Sequence, residues 1–134
     1  MANQAFVDSL LEEIIRPGVE ELMESRYFSE LSEGKLSIRR LQGFALKHYL
    51  HNIALCKGFS LCMVKYAHDL ELFKHFAHQL SEQQGHPALA KRYGLAPSLK
   101  EEDFLNVMPI YECLAHTSAV IRAMYLGLPA ENRA

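Results

Sequence analysis

Histidine and glutamate residues recur in the middle of the chain at a spacing that could bring them together. His78, Glu82 and His86 follow one another at intervals of four residues. If one helix runs on through all three, their side chains point the same way. A carboxylate and imidazoles that face into a helical bundle are the ligand types that iron uses in such proteins. The spacing therefore raises an iron site as a hypothesis.

Two ligands on one helix cannot hold an iron ion firmly, so other elements must contribute. The remaining acids and histidines that could do so have no diagnostic spacing, and they are His48, His51, His116, Glu13 and Glu20. The alternative for His78, Glu82 and His86 is a structural role. Glu82 could be an ordinary polar helix end, His86 could cap a following helix, and His78 could be a partly buried, hydrogen-bonded histidine.

Composition limits the class of protein. The chain has 134 residues, about half of them apolar, and a net charge of −2 with scattered basic residues, which argues against nucleic-acid binding. Apolar runs are interrupted well before the ~20 residues that a membrane span needs, and the N-terminus lacks the features of a signal peptide. We therefore expect a cytoplasmic protein. The three cysteines form no close pair and are expected to pack as small apolar side chains.

The elements that must position these residues are all predicted to be helices. Residues 4–24 form the first, with a kink or break at Pro17, and residues 27–36 form a connector that Gly34 ends in a left-handed conformation. The second helix begins after Ser37 and extends to about residue 67. It is apolar on most faces, which is typical of a helix surrounded by others.

The later helices are marked by capping residues and prolines. Asp69 caps the third helix, and Pro87 begins a short helix over residues 88–93. Ser98 to Glu101 has the form of a capping box for a fourth helix, which Pro109 splits so that its longer part covers residues 110–126. Pro129 then has the character of another helix start. We therefore expect one helical domain over residues 1–134 that is incomplete at its C-terminal end.

Two stretches of sequence resemble a protein family. The first is Leu41-Gln42-Gly43-Phe44-Ala45 with the preceding Gly34-Lys35-Leu36-Ser37, and the second is Leu80-Ser81-Glu82-Gln83-Gln84-Gly85-His86-Pro87-Ala88-Leu89. Together they are similar to heme-oxygenase-like helical proteins, which include TenA-type thiaminases, pyrroloquinoline-quinone synthase and non-heme iron oxidases.

The resemblance implies an all-α antiparallel helical bundle, of which this chain would be the N-terminal part. The second stretch is most similar to the iron-containing branch, in which a glutamate and a nearby histidine on the third helix bind the metal. The motif places these ligands on Glu82 and His86 and implies one or two non-heme iron ions. His48, His78 and His116 are further cavity or ligand candidates.

The function expected from the resemblance is an iron-dependent oxidoreductase that uses dioxygen on a small organic substrate and is incomplete in this chain. One alternative is a metal-free TenA-like or pyrroloquinoline-quinone synthase-like enzyme, or a small-molecule-binding helical module. Another is a truncated, non-catalytic interaction module. Apolar helix faces without partners predict a homodimer or other self-association.

Overall fold

The computed structural model describes residues 4–127, and within that range every regular element is helical. The chain divides after Ser37 into two compact units. The N-terminal unit contains α1 (Gln4–Leu10), a π-helical turn (Leu11–Ile15), α2 (Arg16–Glu24) and α3 (Arg26–Ser32). The C-terminal unit contains α4 (Ile38–Lys65), α5 (Leu70–Gln83), α6 (His86–Leu95), α7 (Glu101–Leu105) and α8 (Tyr111–Leu126). The predicted all-α fold class is confirmed.

Pro17 does not interrupt the helical course of the N-terminal unit. Pro17 lies in the first turn of α2, where its missing N–H and its ring disturb the hydrogen bonds of the preceding turn. The chain absorbs this disturbance in the π-helical turn, which has one extra residue per hydrogen-bonded ring and lies directly before α2. A change of helix type therefore replaces the predicted kink or break.

The connector predicted over residues 27–36 is wrong for most of its length, because α3 occupies Arg26–Ser32. Ser25 adopts an extended conformation that ends α2, and the helix restarts at once. Arg26 Nε donates to Glu30 Oε1 at 2.5 Å, an i, i+4 pair that supports this single short helix. The left-handed conformation of Gly34 is confirmed, with φ of 67°.

In the C-terminal unit, α4 is the central helix, as predicted, and it packs against α5, α6 and α8. Contacts fix the directions of these helices. Cys56 lies opposite Gln83 and Phe44 opposite Tyr93, so α5 and then α6 run back along α4. Lys47 lies opposite Cys113 and Cys62 lies opposite Met124, so α8 runs in the same direction as α4.

The core of this unit lies at the C-terminal half of α4. It consists of Cys62, Tyr66, Leu72 and Phe76, with Phe59, Met63 and Met124 packed around them. The expectation that cysteines pack as apolar side chains is confirmed for Cys62, which is fully buried. Its burial raises the pKa of the thiol, while the nearby charge of Lys65 acts in the opposite direction.

Helix boundaries follow local hydrogen bonds. Asp69 caps α5 as predicted, because its Oδ1 accepts from the N–H groups of Glu71 and Leu72 at 3.1 Å each. The capping box predicted at Ser98 is wrong. Ser98 has φ of 72° in the turn that closes α6, and it is Asp103 that accepts from the Lys100 N–H at 2.8 Å.

Two further expectations concern the C-terminal end of the chain and helices that could span a membrane. The helix start predicted at Pro129 lies outside the described residues. Within residues 4–127, no helix has the length and apolar character needed to cross a membrane.

Candidate functional site

The helix that would place His78, Glu82 and His86 on one face is interrupted. α5 ends at Gln83, a turn at Gln84 and Gly85 follows, and α6 begins at His86. Pro87 lies in the first turn of α6, where a proline needs no partner for its nitrogen and its fixed φ suits the helix. His78 and Glu82 therefore share one helix, and His86 belongs to the next.

Glu82 lies on the outer surface of α5. Its Oε1 is 3.5 Å from His78 Nε2, and its Oε2 accepts from Gln79 Nε2 at 3.4 Å. The side chains of Glu82 and His78 are 55% and 69% exposed, respectively. The pair is thus an exposed i, i+4 contact of the kind that contributes little to stability.

A cavity of about 320 Å³ lies between α4 and α6. Two of the predicted candidates, His48 and His86, line it, whereas Glu82 does not. The side chains around the cavity are mostly apolar or aromatic, and the full set is Phe44, Ala45, His48, Asn52, His86, Leu89, Ala90 and Tyr93. A concave apolar site with a few convergent polar groups is the usual form of a small-molecule site.

Asn52 is the most informative side chain of the cavity. It is 3% exposed, and its Nδ2 has no hydrogen-bond partner within the described chain. A buried donor without a partner costs about 1–3 kcal/mol relative to a satisfied one. Folded proteins satisfy nearly all such groups, so an exception in the wall of a cavity points to a ligand that supplies the acceptor.

Two aromatic side chains of the cavity wall are partly exposed. The ring of Phe44 stacks on that of His48 with centroids 5.2 Å apart, and Tyr93 meets Phe44 edge to face at 5.8 Å. Phe44 and Tyr93 are both more than 40% exposed. Such rings offer flat apolar faces to a planar ligand that enters from solvent.

The close approach of α4 and α6 at one end of the cavity depends on Gly94. A Cβ at this position would lie 2.9 Å from Ala45 Cβ, 2.6 Å from Phe104 Cζ and 2.9 Å from Leu99 Cδ1. Gln42 adds a tie between α4 and the chain after α6, because its Nε2 donates to the Pro97 carbonyl at 2.8 Å. The cavity walls are therefore held by packing on both sides of this glycine.

Three histidines continue from the cavity toward α8. The rings of His48 and His51 stack with centroids 5.9 Å apart, and His116 Nε2 lies 3.2 Å from His51 Nδ1. Burial lowers the pKa of His51, and the neighbouring imidazoles of His116 and His48 lower it further. His116, predicted as a candidate, thus meets His51 on the α8 side rather than lining the cavity.

The ligand set of the expected iron site is not assembled by these side chains. Among residues 4–127, no group of three or more histidine, cysteine, aspartate or glutamate side chains is arranged to hold a metal ion. The described residues do not by themselves fit the iron centre that the resemblance implies. Iron bound through Glu82 and His86 stays a prediction.

Sequence reasoning overlooked Asn52 as a site residue. An asparagine in the middle of a long helix that is apolar on most faces is the signal that could have identified it, because a lone polar residue in such a place needs a partner. Phe44 lies within one of the stretches that carry the resemblance, but its spacing from Tyr93 along the chain does not bring the two rings together.

The helical architecture and the cavity define an all-α protein with a site of small-molecule size. A comparison with family models agrees, since the model of the TENA/THI-4/PQQC family matches residues 16–125. The chain belongs to the TENA/THI-4/PQQC family, and so to the heme-oxygenase-like superfamily that the sequence resembles. No curated protein and no solved structure matches the chain.

Proposed function

We propose that this chain binds a small, planar organic molecule in the cavity between α4 and α6. The unpartnered Nδ2 of the buried Asn52 carries the proposal, because it calls for a hydrogen-bond acceptor on the ligand. This function corresponds to the small-molecule-binding alternative within the TENA/THI-4/PQQC family.

The chemistry of the cavity walls defines the ligand class. The volume of about 320 Å³ suits a molecule of one to three fused or linked rings. Phe44 and Tyr93 favour a flat aromatic ligand, and Asn52 favours a ring nitrogen or carbonyl oxygen that accepts a hydrogen bond.

His48 and His86 give the site a capacity for proton transfer. Both imidazoles line the same cavity as Asn52, so a ligand held by the amide lies beside two side chains of the type most often used in general acid–base catalysis. A hydrolytic activity of the TenA type would use these two side chains as acid and base. Recognition by Asn52 does not depend on that activity.

Binding is tested with thiamin and pyrroloquinoline quinone, the compounds named in the activities of the resembled enzymes. Isothermal titration calorimetry on the full chain is expected to detect binding of at least one of them. Asn52→Leu should weaken that binding about tenfold, the usual cost of one buried hydrogen bond. Val64→Ala, an exposed position on the same helix, is the control and should bind like the wild type.

The same variant separates recognition from folding. Because Asn52→Leu removes an unsatisfied buried donor, the free protein should keep its stability or gain about 1 kcal/mol. Urea unfolding without ligand measures this change. The proposal would be contradicted if neither compound bound. It would also be contradicted if wild type and Asn52→Leu had equal affinity for every compound that binds.

A further inference from the structure

His51 and His116 form a pair of imidazoles that joins two helices of the C-terminal unit. His51 lies on α4 and His116 on α8, and the distance between His51 Nδ1 and His116 Nε2 is 3.2 Å. Their ring centroids are 5.0 Å apart with an interplanar angle of 31°. His51 is half-buried and His116 is exposed, so the two facing nitrogens lie at the protein surface beside solvent.

The separation of the two nitrogens fits two ligands of one metal ion. Zinc–nitrogen bonds of about 2.0–2.1 Å in a tetrahedral site place two ligand nitrogens about 3.3 Å apart. Rotation of both rings about their side-chain bonds would turn the two nitrogens toward a common point. Water can fill the remaining coordination positions, because the pair opens to solvent.

We propose that His51 and His116 form a two-imidazole site for a divalent transition-metal ion such as zinc, which fastens α8 to α4. Imidazole nitrogen is a preferred ligand of zinc, copper and nickel. This site is separate from the predicted iron ligands Glu82 and His86. It is also independent of the ligand proposed for the cavity.

Both imidazoles can bind the ion as neutral rings, so no further side chain is needed to take up a proton. In the metal-free pair, one facing nitrogen carries the hydrogen and the other accepts it. When the ion binds, the ring that donated this hydrogen bond carries its proton on its other nitrogen, so both facing nitrogens offer lone pairs. Neutral imidazoles are the form that binds metal.

A second pair serves as the internal comparison. His78 Nε2 and Glu82 Oε1 lie 3.5 Å apart, but both belong to α5 and are more than half exposed. An ion held there would connect no two helices. Binding at the α4–α8 pair can therefore be distinguished from binding at this surface pair by single substitutions.

The test is a zinc titration of the full chain followed by NMR of the imidazole nitrogens. We expect one zinc-dependent site, with His51 bound through Nδ1 and protonated on Nε2, and His116 bound through Nε2 and protonated on Nδ1. Zinc at ten times its Kd should raise the Tm by roughly 4 °C or more. His116→Ala should weaken zinc binding at least tenfold, and because this residue is exposed its loss should leave the fold intact.

His51→Ala should have the same effect on binding, and circular dichroism checks that both variants remain helical. His78→Ala is the control and should keep the wild-type affinity within about twofold, well under the 1.4 kcal/mol of a tenfold change. Unchanged affinity in His116→Ala, loss of binding in His78→Ala, or imidazole signals of His51 and His116 that do not respond to zinc would each overturn the proposal.

Discussion

At the scale of single residues, the site is distinguished by one amide and several imidazoles. Asn52 is a buried donor without an acceptor, and it lines the cavity between α4 and α6. The residue before it, His51, faces α8 instead. Consecutive residues on a helix point about 100° apart, so this pair serves the cavity between α4 and α6 on one side and the contact with α8 on the other. His48, one turn earlier on α4, lines the cavity and also stacks on the ring of His51.

The titration of His51 predicts how stability depends on pH. The folded protein lowers the pKa of His51 below its ordinary value of 6.5, so the unfolded chain binds the proton more readily. The stability that this neutral imidazole contributes is fully present above pH 6.5. It is lost as the pH falls from there through the lower pKa of the folded state.

Urea unfolding at a series of pH values checks this expectation. The wild-type midpoint should fall as the pH decreases below about 6.5, and His51→Gln should reduce the fall. His68→Gln alters an exposed histidine outside the cluster and is the control. A decline that is equally steep in His51→Gln would show that other groups cause it.

At the scale of helices, close packing of α4 and α6 requires a glycine at one point. Gly94 faces Ala45, whose Cβ cannot rotate away, as well as Phe104 and Leu99. We expect Gly94→Ala to lower the free energy of unfolding by about 1–3 kcal/mol through overpacking, although alanine favours a helix more than glycine does.

Gly43 offers the matched control on α4. A Cβ at this position would meet nothing within 4 Å, so Gly43→Ala should leave packing unchanged and raise stability by up to about 1 kcal/mol. Thermal unfolding of both variants measures the two effects. Equal changes in Tm would show that the α4–α6 contact does not require a glycine at position 94.

At the scale of the whole molecule, large apolar side chains remain exposed in both units. None of the described helical residues of the N-terminal unit is buried, and α8 also has no buried residue. Phe6, Ile14 and Val19 in the N-terminal unit are each at least half exposed. Self-association therefore stays our prediction, since apolar surface of this kind favours contact with another chain.

Sedimentation velocity tests this prediction on the full chain. We expect dimers or larger species at micromolar concentration, and Val19→Asp should shift the population toward monomer because it places a charge in the apolar stripe. Glu20→Gln, at an exposed neighbouring position, should sediment like the wild type. A wild-type chain that sediments as a monomer throughout would refute the prediction.

Local signals in the sequence determined the helices and most of their ends. The Asp69 cap, Gly34 and Pro87 act within one turn of the chain, and the structure has each of them where the sequence predicted. The central place of α4 followed from its apolar residues on most faces. Short-range geometry and the pattern of apolar residues are sufficient for such features.

The grouping of site residues was decided only by the tertiary structure. His86 was expected beside Glu82, but the turn at Gln84 and Gly85 starts a new helix and puts His86 in the cavity with His48 and Asn52. The pairing of His51 with His116 joins residues 65 positions apart. Such contacts depend on how helices pack against one another, and spacing along the chain does not specify that packing.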